Sequence, residues 1–215
     1  MMIKLNRYVF KKLVCAPRLL YVLIGLLACL IPMSSLDHGT ITAFYLKGHS
    51  YGLLCGGLML CALSFLHDRR EEKGIAAITK RRNDYDLAKI ISLCLLVVIS
   101  ELLLYVLIAA LGPYLFAHVS FGSFQKVALS YFYITFLEMF IIVVTSLIVR
   151  MAHTLIYQLY LTLACYGACF YYYSNLFDAS HDLTSASMLL VGLTSIILVF
   201  IILLIRFLTT RNRQL

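Results

Sequence analysis

The chain has 215 residues, of which 62% are hydrophobic and 13% are charged, and its formal net charge is +8. Its mean hydropathy of +0.93 lies well above that of soluble domains, in which roughly 45–50% of residues are apolar. These values exclude an ordinary soluble domain and indicate an integral membrane protein.

Six apolar stretches each approach the roughly 20 residues that a helix needs to cross the hydrocarbon core of a bilayer. In chain order they are residues 17–36, 48–67, 89–111, 126–149, 154–174 and 186–207. The sequence therefore predicts an all-α fold, a polytopic membrane helix bundle with six transmembrane helices. A single transmembrane domain is expected over residues 1–215.

The amino-terminal arm, residues 1–16, precedes the first apolar stretch and has the pattern of an amphipathic helix. Four basic side chains in or just after this arm share one face of the helical wheel: Lys4, Arg7, Lys11 and Arg18. Apolar residues spread over the opposite face, as expected of a helix that lies in the plane of the membrane interface. The alternative is an ordinary basic flank of the first span.

A row of small residues, Gly48, Gly52 and Gly56, begins the second apolar stretch. Glycines at a spacing of four residues allow another helix backbone to approach closely. The row predicts a helix-packing surface at this position.

Residues 68–88 form a charged loop between the second and third apolar stretches. Four side chains in this loop follow one another at intervals of four, three and four residues, which places them on one face of a helix: Glu71, Ile75, Ile78 and Arg82. Apolar side chains ringed by charge are suited to docking into a groove of a soluble protein. The alternative is a solvated connector.

Glu101 and Glu138 are the acidic residues near the middle of the third and fourth stretches, at similar depth on antiparallel neighbours. Ionisable groups in hydrocarbon are costly and often mark a transport path. The alternative is a neutral hydrogen bond that only holds the helices together.

The fifth stretch is aromatic, and Tyr157, Tyr160 and Tyr166 are candidates for the same translocation path. An interfacial aromatic belt is the ordinary explanation for the tyrosines at its end.

The sequence predicts neither a metal site nor a catalytic centre. Cys165 and Cys169 lie one helical turn apart without the further ligands that tetrahedral zinc needs. His67, Asp68 and Glu71 are too weakly spaced to predict a site. No phosphate-binding G-x-x-x-x-G-K-[ST] motif occurs, so the chain is not expected to be an enzyme or to bind a cofactor itself.

The basic residues are distributed asymmetrically among the loops. In a six-span chain, 16 of the 18 Lys and Arg residues fall on one side, and only Lys47 and Lys126 fall on the other. The positive-inside rule then places both termini and residues 68–88 in the cytoplasm, with the chain in the cell membrane. The net positive charge is explained by contact with anionic membrane lipids, and no nucleic acid is expected as a partner.

The charged loop also resembles a known family. An acidic pair, a glycine, a short apolar helix and a basic residue at the start of the next span are present here as Glu71, Glu72, Gly74, Ile75 to Ile78, and Lys89. This order resembles the type-2 (ABC-2) exporter permeases, the membrane subunits of ATP-binding-cassette transporters.

The resemblance implies a coupling helix that contacts a separate ATPase subunit, which binds ATP and Mg. The residues expected to make this contact are Glu71, Glu72, Gly74, Ile75, Ile78 and Arg82.

A second permease subunit, in a homodimer or a heterodimer, is expected to complete the pathway. The compact chain favours export of a peptide or a lipid-like amphiphile. The alternatives are the substrate-binding membrane component of an energy-coupling-factor importer, or a small intramembrane enzyme.

The basic-residue distribution makes a testable prediction about topology. Cysteines introduced near Arg81 and Arg211 should react with impermeant reagents from the cytoplasmic side, and cysteines near Asp37 and Asp178 from outside, because basic loops are retained in the cytoplasm. Cysteine-accessibility labelling measures this directly. Labelling of the Arg81 and Asp178 replacements from the same side would contradict the six-span topology.

Overall fold

The structure is a computed structural model that describes residues 2–66, 74, 82–116, 119–152, 154–179 and 185–212. Apart from one short strand pair, its regular elements are helices. The helices are α1 (Met2–Leu13), α2 (Ala16–Ala28), α3 (Leu30–Met33), α4 (Ile41–Gly48), α5 (Leu53–Leu66), α6 (Arg82–Leu115), α7 (Phe124–Met151), α8 (Leu155–Ala179) and α9 (Ser185–Asn212). The prediction of an all-α fold is confirmed.

Among the described residues, three helices are long and apolar enough to cross a membrane: Tyr85–Leu115 in α6, Phe124–Met151 in α7 and Ser187–Ile205 in α9. Two bent pairs raise the number to five if each pair is one span. These pairs are Leu5–Leu13 with Pro17–Met33, bent by 60°, and Ile41–Gly48 with Leu53–Leu66, bent by 48°. The chain therefore has the helices of a membrane protein.

The more detailed prediction of six spans is not confirmed. The fifth predicted span corresponds to α8. This helix is 25 residues long, but it is not among the helices that are apolar enough to cross a membrane. Six tyrosines in this helix lower its hydropathy.

The amino-terminal helix packs against the bundle as well as carrying a basic face. α1 lies along α6, and its Val9 and Leu13 are fully buried. The apolar face of the predicted amphipathic helix therefore covers protein. Arg18, in α2, donates to the Lys12 carbonyl at 3.0 Å and to Ser64 Oγ at 3.2 Å, which ties the start of α2 to the end of α5.

α2 and α5 cross with their backbones in close contact. A side chain added at Gly57 would place its Cβ 2.6 Å from the Tyr21 carbonyl oxygen and 3.2 Å from the Gly25 Cα. This close crossing is the kind of contact that small residues permit in membrane helices. Gly25 and Gly57 are not part of the predicted row of Gly48, Gly52 and Gly56.

The second predicted span is broken at its start. α4 ends at Gly48 and α5 begins at Leu53, so the continuous helix expected over residues 48–67 was wrong at its amino-terminal end. Gly52 has φ of +58°, a backbone conformation in which glycine is favoured. This left-handed residue interrupts the helical path and accounts for the break.

Because of this break, the predicted glycine row does not run along one helix. Gly48 ends α4 and faces Met33, Gly52 lies in the break against Tyr173, and Gly56 lies inside α5 against Tyr166. Each glycine permits a close contact, but with a different neighbouring side chain.

Two loops meet at one end of the bundle through the strand pair. β1 (Gly39–Thr40) and β2 (Val119–Ser120) are parallel, with Gly39 opposite Val119 and Thr40 opposite Ser120. The pairing joins the segment before α4 to the segment before α7. It therefore holds the starts of the two helices at a common level.

The conformation of Gly52 makes a prediction about stability. In Gly52→Ala, the left-handed conformation costs about 1–2 kcal/mol, and the new Cβ would lie 2.8 Å from Tyr173 Cδ2. We expect a lower melting temperature of the purified protein in detergent. Gly167→Ala is the matched control: Gly167 is helical with no atom within 4 Å of an added Cβ, so alanine should preserve or raise stability. Equal melting temperatures for the two variants would contradict the assigned backbone at Gly52.

Candidate functional site

Three ionisable side chains from three segments meet in the core of the bundle. His49 follows α4, Glu101 lies near the middle of α6, and Glu138 lies near the middle of α7. His49 Nε2 is 3.1 Å from Glu101 Oε2, and His49 Nδ1 is 3.2 Å from Glu138 Oε1. The exposed fraction of each residue is 1% or less. We call His49, Glu101 and Glu138 the His–Glu–Glu cluster.

The break between α4 and α5 gives His49 its position. The His49 backbone N–H bonds to the Leu46 carbonyl and its carbonyl accepts from the Gly52 N–H at 2.8 Å, so the chain turns within four residues. The turn holds the imidazole between the middles of α6 and α7. A break at this depth is tolerated in membrane proteins where the backbone is buried in protein or lines a cavity.

Tyr45 fixes one carboxylate of the cluster. It lies one helical turn before His49 on α4, and its hydroxyl donates to Glu101 Oε2 at 2.5 Å. Its ring stacks on Tyr105 with a centroid separation of 3.9 Å, and the Tyr105 hydroxyl is hydrogen-bonded with Ser130 of α7. α4, α6 and α7 are therefore connected through one network of polar and aromatic side chains.

Four buried polar atoms of the cluster make no hydrogen bond of good geometry within the described structure, although two of them, His49 Nδ1 and Glu138 Oε1, face each other at 3.2 Å. The four atoms are His49 Nδ1, Glu101 Oε1, Glu138 Oε1 and Glu138 Oε2. Burial of charged groups is expensive unless they are paired and hydrogen-bonded. Two carboxylates and one imidazole do not balance in charge, so the site favours an additional proton or cation.

The cluster also has the composition and spacing of a cation site. One ligand atom from each of the three residues lies within 4.8 Å of the other two. Imidazole nitrogen and carboxylate oxygen are common metal ligands. Of the described residues, these three are the ones that could hold a metal ion.

Buried cysteines lie beside the turn that carries His49. Cys29 is close to Gly48 and Cys169 is close to Gly52, and both cysteines, like Cys55, are buried and free of disulfide bonds. Cys165 is partly exposed on the same helix as Cys169. Buried free cysteines of this kind act as small apolar packing residues.

The tyrosines assigned to a translocation path do not join the cluster. Tyr157 and Tyr160 are about two-thirds exposed on the outer side of α8. Tyr166 packs against Gly56 and lines an apolar cleft of about 420 Å³ between α2, α5 and α8. Of the five candidates for the path, the structure brings together Glu101 and Glu138.

Most of the predicted coupling residues lie outside the described part of the chain. These are Glu71, Glu72, Ile75 and Ile78. Gly74 is described and exposed, and Arg82 is the first residue of α6. The coupling role of this segment stays a prediction.

The start of α6 is anchored by basic side chains. Lys89 is 1% exposed, and its Nζ lies 4.5 Å from the ring centre of Tyr85 and 4.9 Å from that of Phe65. Such placement over aromatic faces is favourable for a cation. Asp86 forms an ion pair with Arg150 at the end of α7. The first turns of α6 are therefore fixed to α5 and α7.

His49 was not among the residues that the sequence predicted for this site. A signal was present in the run Gly48–His49–Ser50–Tyr51–Gly52, in which two glycines flank polar residues within an apolar stretch. This pattern is typical of a turn. A turn at these residues would have brought His49 towards the interior of the bundle.

Comparison of the chain with protein-family models, curated proteins and solved structures found no match.

The Tyr45 hydroxyl makes a prediction about stability. Tyr45→Phe keeps the stacked ring but removes the donor to Glu101, and a hydrogen bond to a charged group contributes about 1.5–3 kcal/mol. We expect a lower free energy of unfolding, measured by denaturation in detergent. Tyr114→Phe is the control, since Tyr114 is 87% exposed, and it should leave stability unchanged. A Tyr45→Phe protein as stable as the control would show that this hydrogen bond contributes nothing.

Proposed function

We propose that this chain is the membrane-spanning permease subunit of a transporter driven by a separate ATP-binding-cassette ATPase. The observation that carries the transport part is the His–Glu–Glu cluster, buried in an apolar bundle at a break in a helix. The ATPase part rests on the sequence of residues 68–88.

The cluster supports transport because its residues are costly in a membrane. Ionisable groups within membrane helices face the bundle interior and mark substrate or ion pathways. Interrupted helices near mid-membrane are likewise a recurring feature of transporter binding sites. Here one interrupted segment, α4 and α5, presents His49 to two glutamates on long helices, Glu101 on α6 and Glu138 on α7.

The partners in this proposal follow from the resemblance to type-2 exporter permeases. An ATPase subunit contacts the loop of residues 68–88 and binds ATP and Mg, and a second permease subunit completes the pathway. Both termini and this loop lie on the cytoplasmic side of the cell membrane. Anionic lipids, and not nucleic acid, contact the basic residues.

The proposed cargo is a peptide or a lipid-like amphiphile. The apolar cleft between α2, α5 and α8 supports this choice, because about 420 Å³ of space lined by residues such as Ile24, Leu60 and Leu163 suits an acyl chain or apolar side chains.

One observation favours a second candidate, a small intramembrane enzyme. Membrane-embedded catalysis requires a convergent set of side chains such as histidine and carboxylates. The sequence alone did not reveal such a set, whereas the structure brings together His49, Glu101 and Glu138. The same buried cluster is therefore the starting point for either function.

The proposal predicts the effect of changes in the coupling loop. In Ile75→Asp or Ile78→Asp, a charge would enter the apolar contact with the ATPase, at a cost of order 2 kcal/mol or more for a central anchor. The ATPase should be lost on co-purification, and substrate-stimulated ATP hydrolysis should disappear. Lys80→Ala is the control, because an exposed charge at a rim contributes about 0–1 kcal/mol.

A second arm tests the cluster in the same complex. Glu138→Gln should retain the ATPase, because the residue lies far along α7 from the loop, but should alter substrate-stimulated hydrolysis. If all four variants retain the partner and full activity, the coupling loop and the cluster have no role in ATP-driven transport. That result would leave the enzyme as the better candidate.

A further inference from the structure

We propose that the His–Glu–Glu cluster binds a divalent transition-metal cation, Zn²⁺ or Mn²⁺, through His49 Nδ1 and the carboxylates of Glu101 and Glu138. This inference goes beyond transport, and it holds for a chain with or without an ATPase partner.

The atoms without hydrogen-bond partners are the atoms that a metal ion would use. They comprise one imidazole nitrogen and three carboxylate oxygens, all in side chains that are 1% exposed or less. Buried polar atoms in native proteins are nearly always hydrogen-bonded, so four that are not, in one cluster, require an explanation. One ligand atom from each of the three residues lies within 4.8 Å of the other two, and His49 Nδ1 and Glu138 Oε1 are 3.2 Å apart, so a single cation can contact all three side chains.

The hydrogen bonds already present orient the ligands. His49 Nε2 lies 3.1 Å from Glu101 Oε2, so a proton on Nε2 leaves the lone pair of Nδ1 available. Tyr45 donates to the same Glu101 oxygen at 2.5 Å, which leaves Oε1 as the available oxygen. Carboxylates and hydroxyls that fix a histidine tautomer in this way are typical of the shell around metal ligands.

One divalent ion balances the charge of the cluster by itself, whereas balance by protons requires two of them, one on the imidazole and one on a carboxylate. A proton on the imidazole would leave a net negative charge in an apolar interior, where an unbalanced charge is costly. Two carboxylates, a neutral imidazole and a divalent cation form a neutral site. The balance therefore matches the burial of the cluster.

The ligand types select the kind of metal. Imidazole suits zinc and other transition metals, whereas calcium and magnesium prefer sites built from oxygen alone. One nitrogen with two carboxylates suits Zn²⁺ or Mn²⁺. Three protein ligands would leave a coordination position open for water or another small ligand.

The test uses the purified full chain in detergent. The protein is incubated with Zn²⁺, Mn²⁺ or Co²⁺ and freed of excess metal, its metal content is measured by mass spectrometry, and binding is followed by calorimetry. Stoichiometric metal is expected, with d–d absorption bands for Co²⁺. A thiolate-to-cobalt charge-transfer band is not expected, because the nearby Cys29, Cys55 and Cys169 are not ligands in this proposal.

Matched variants locate the site. His49→Gln and Glu138→Gln should each weaken the metal affinity by at least about tenfold, because each variant removes a metal ligand. Loss of a group that only hydrogen-bonds to a ligand already weakens metal affinity by about 10–100-fold. His38→Gln and Asp37→Asn are the controls, since both residues are exposed in the segment before β1. They should bind metal as the unaltered chain does.

Three results would overturn the proposal. In the first, the unaltered chain retains no stoichiometric metal. In the second, the cluster variants bind metal as tightly as the controls. In the third, a strong thiolate charge-transfer band shows that cysteine binds the metal. If neither cluster variant folds, the metal content and Co²⁺ spectrum of the unaltered chain still decide between these outcomes. None of the measurements involves the ATPase, so failure here leaves the transport proposal standing.

Discussion

The structure depends on the cost of holding two carboxylates inside an apolar bundle. Glu101 and Glu138 are fully buried on α6 and α7, where water does not solvate them. They are accommodated because the chain breaks between α4 and α5 and places His49 between them. The break, the orientation of α4 and the contact between α6 and α7 are therefore parts of one arrangement.

The surrounding packing supports that arrangement. Gly52 adopts the conformation that turns the chain, and Tyr173 of α8 packs directly against it. On the other side of the break, Tyr45 bonds Glu101 and stacks on Tyr105, which is hydrogen-bonded with α7 through Ser130. At the start of α6, Lys89 and the Asp86–Arg150 ion pair fix the helix to α5 and α7. The cluster therefore lies on helices that are anchored to their neighbours.

The same geometry bears on both candidate functions. A transporter needs a site at which cargo or ions interact with the bundle interior, and an enzyme needs convergent groups that act on one substrate. A cation bound by His49, Glu101 and Glu138 would serve either role, because it neutralises the site and leaves a coordination position open. The coupling role proposed for residues 68–88 is what separates the two candidates, since an enzyme that acts alone does not require contact with an ATPase.

The sequence by itself determined the all-α class and the membrane character, because long apolar stretches have few alternatives when backbone groups must be satisfied without water. It also singled out Glu101 and Glu138, since acidic residues in the middle of such stretches are rare. It did not determine the number of spans, because α8 combines helical length with many tyrosines and lies near the limit of a membrane-compatible composition.

Only the tertiary structure decided the role of His49. The position of its imidazole depends on the turn at Gly52 and on the packing of two tyrosines. Tyr45 of α4 packs against the imidazole, and Tyr173 of α8 packs against Gly52. Periodicity along one helix cannot report such a contact. Three ionisable side chains from three segments converge because helix packing, and not local sequence, sets the distances between them.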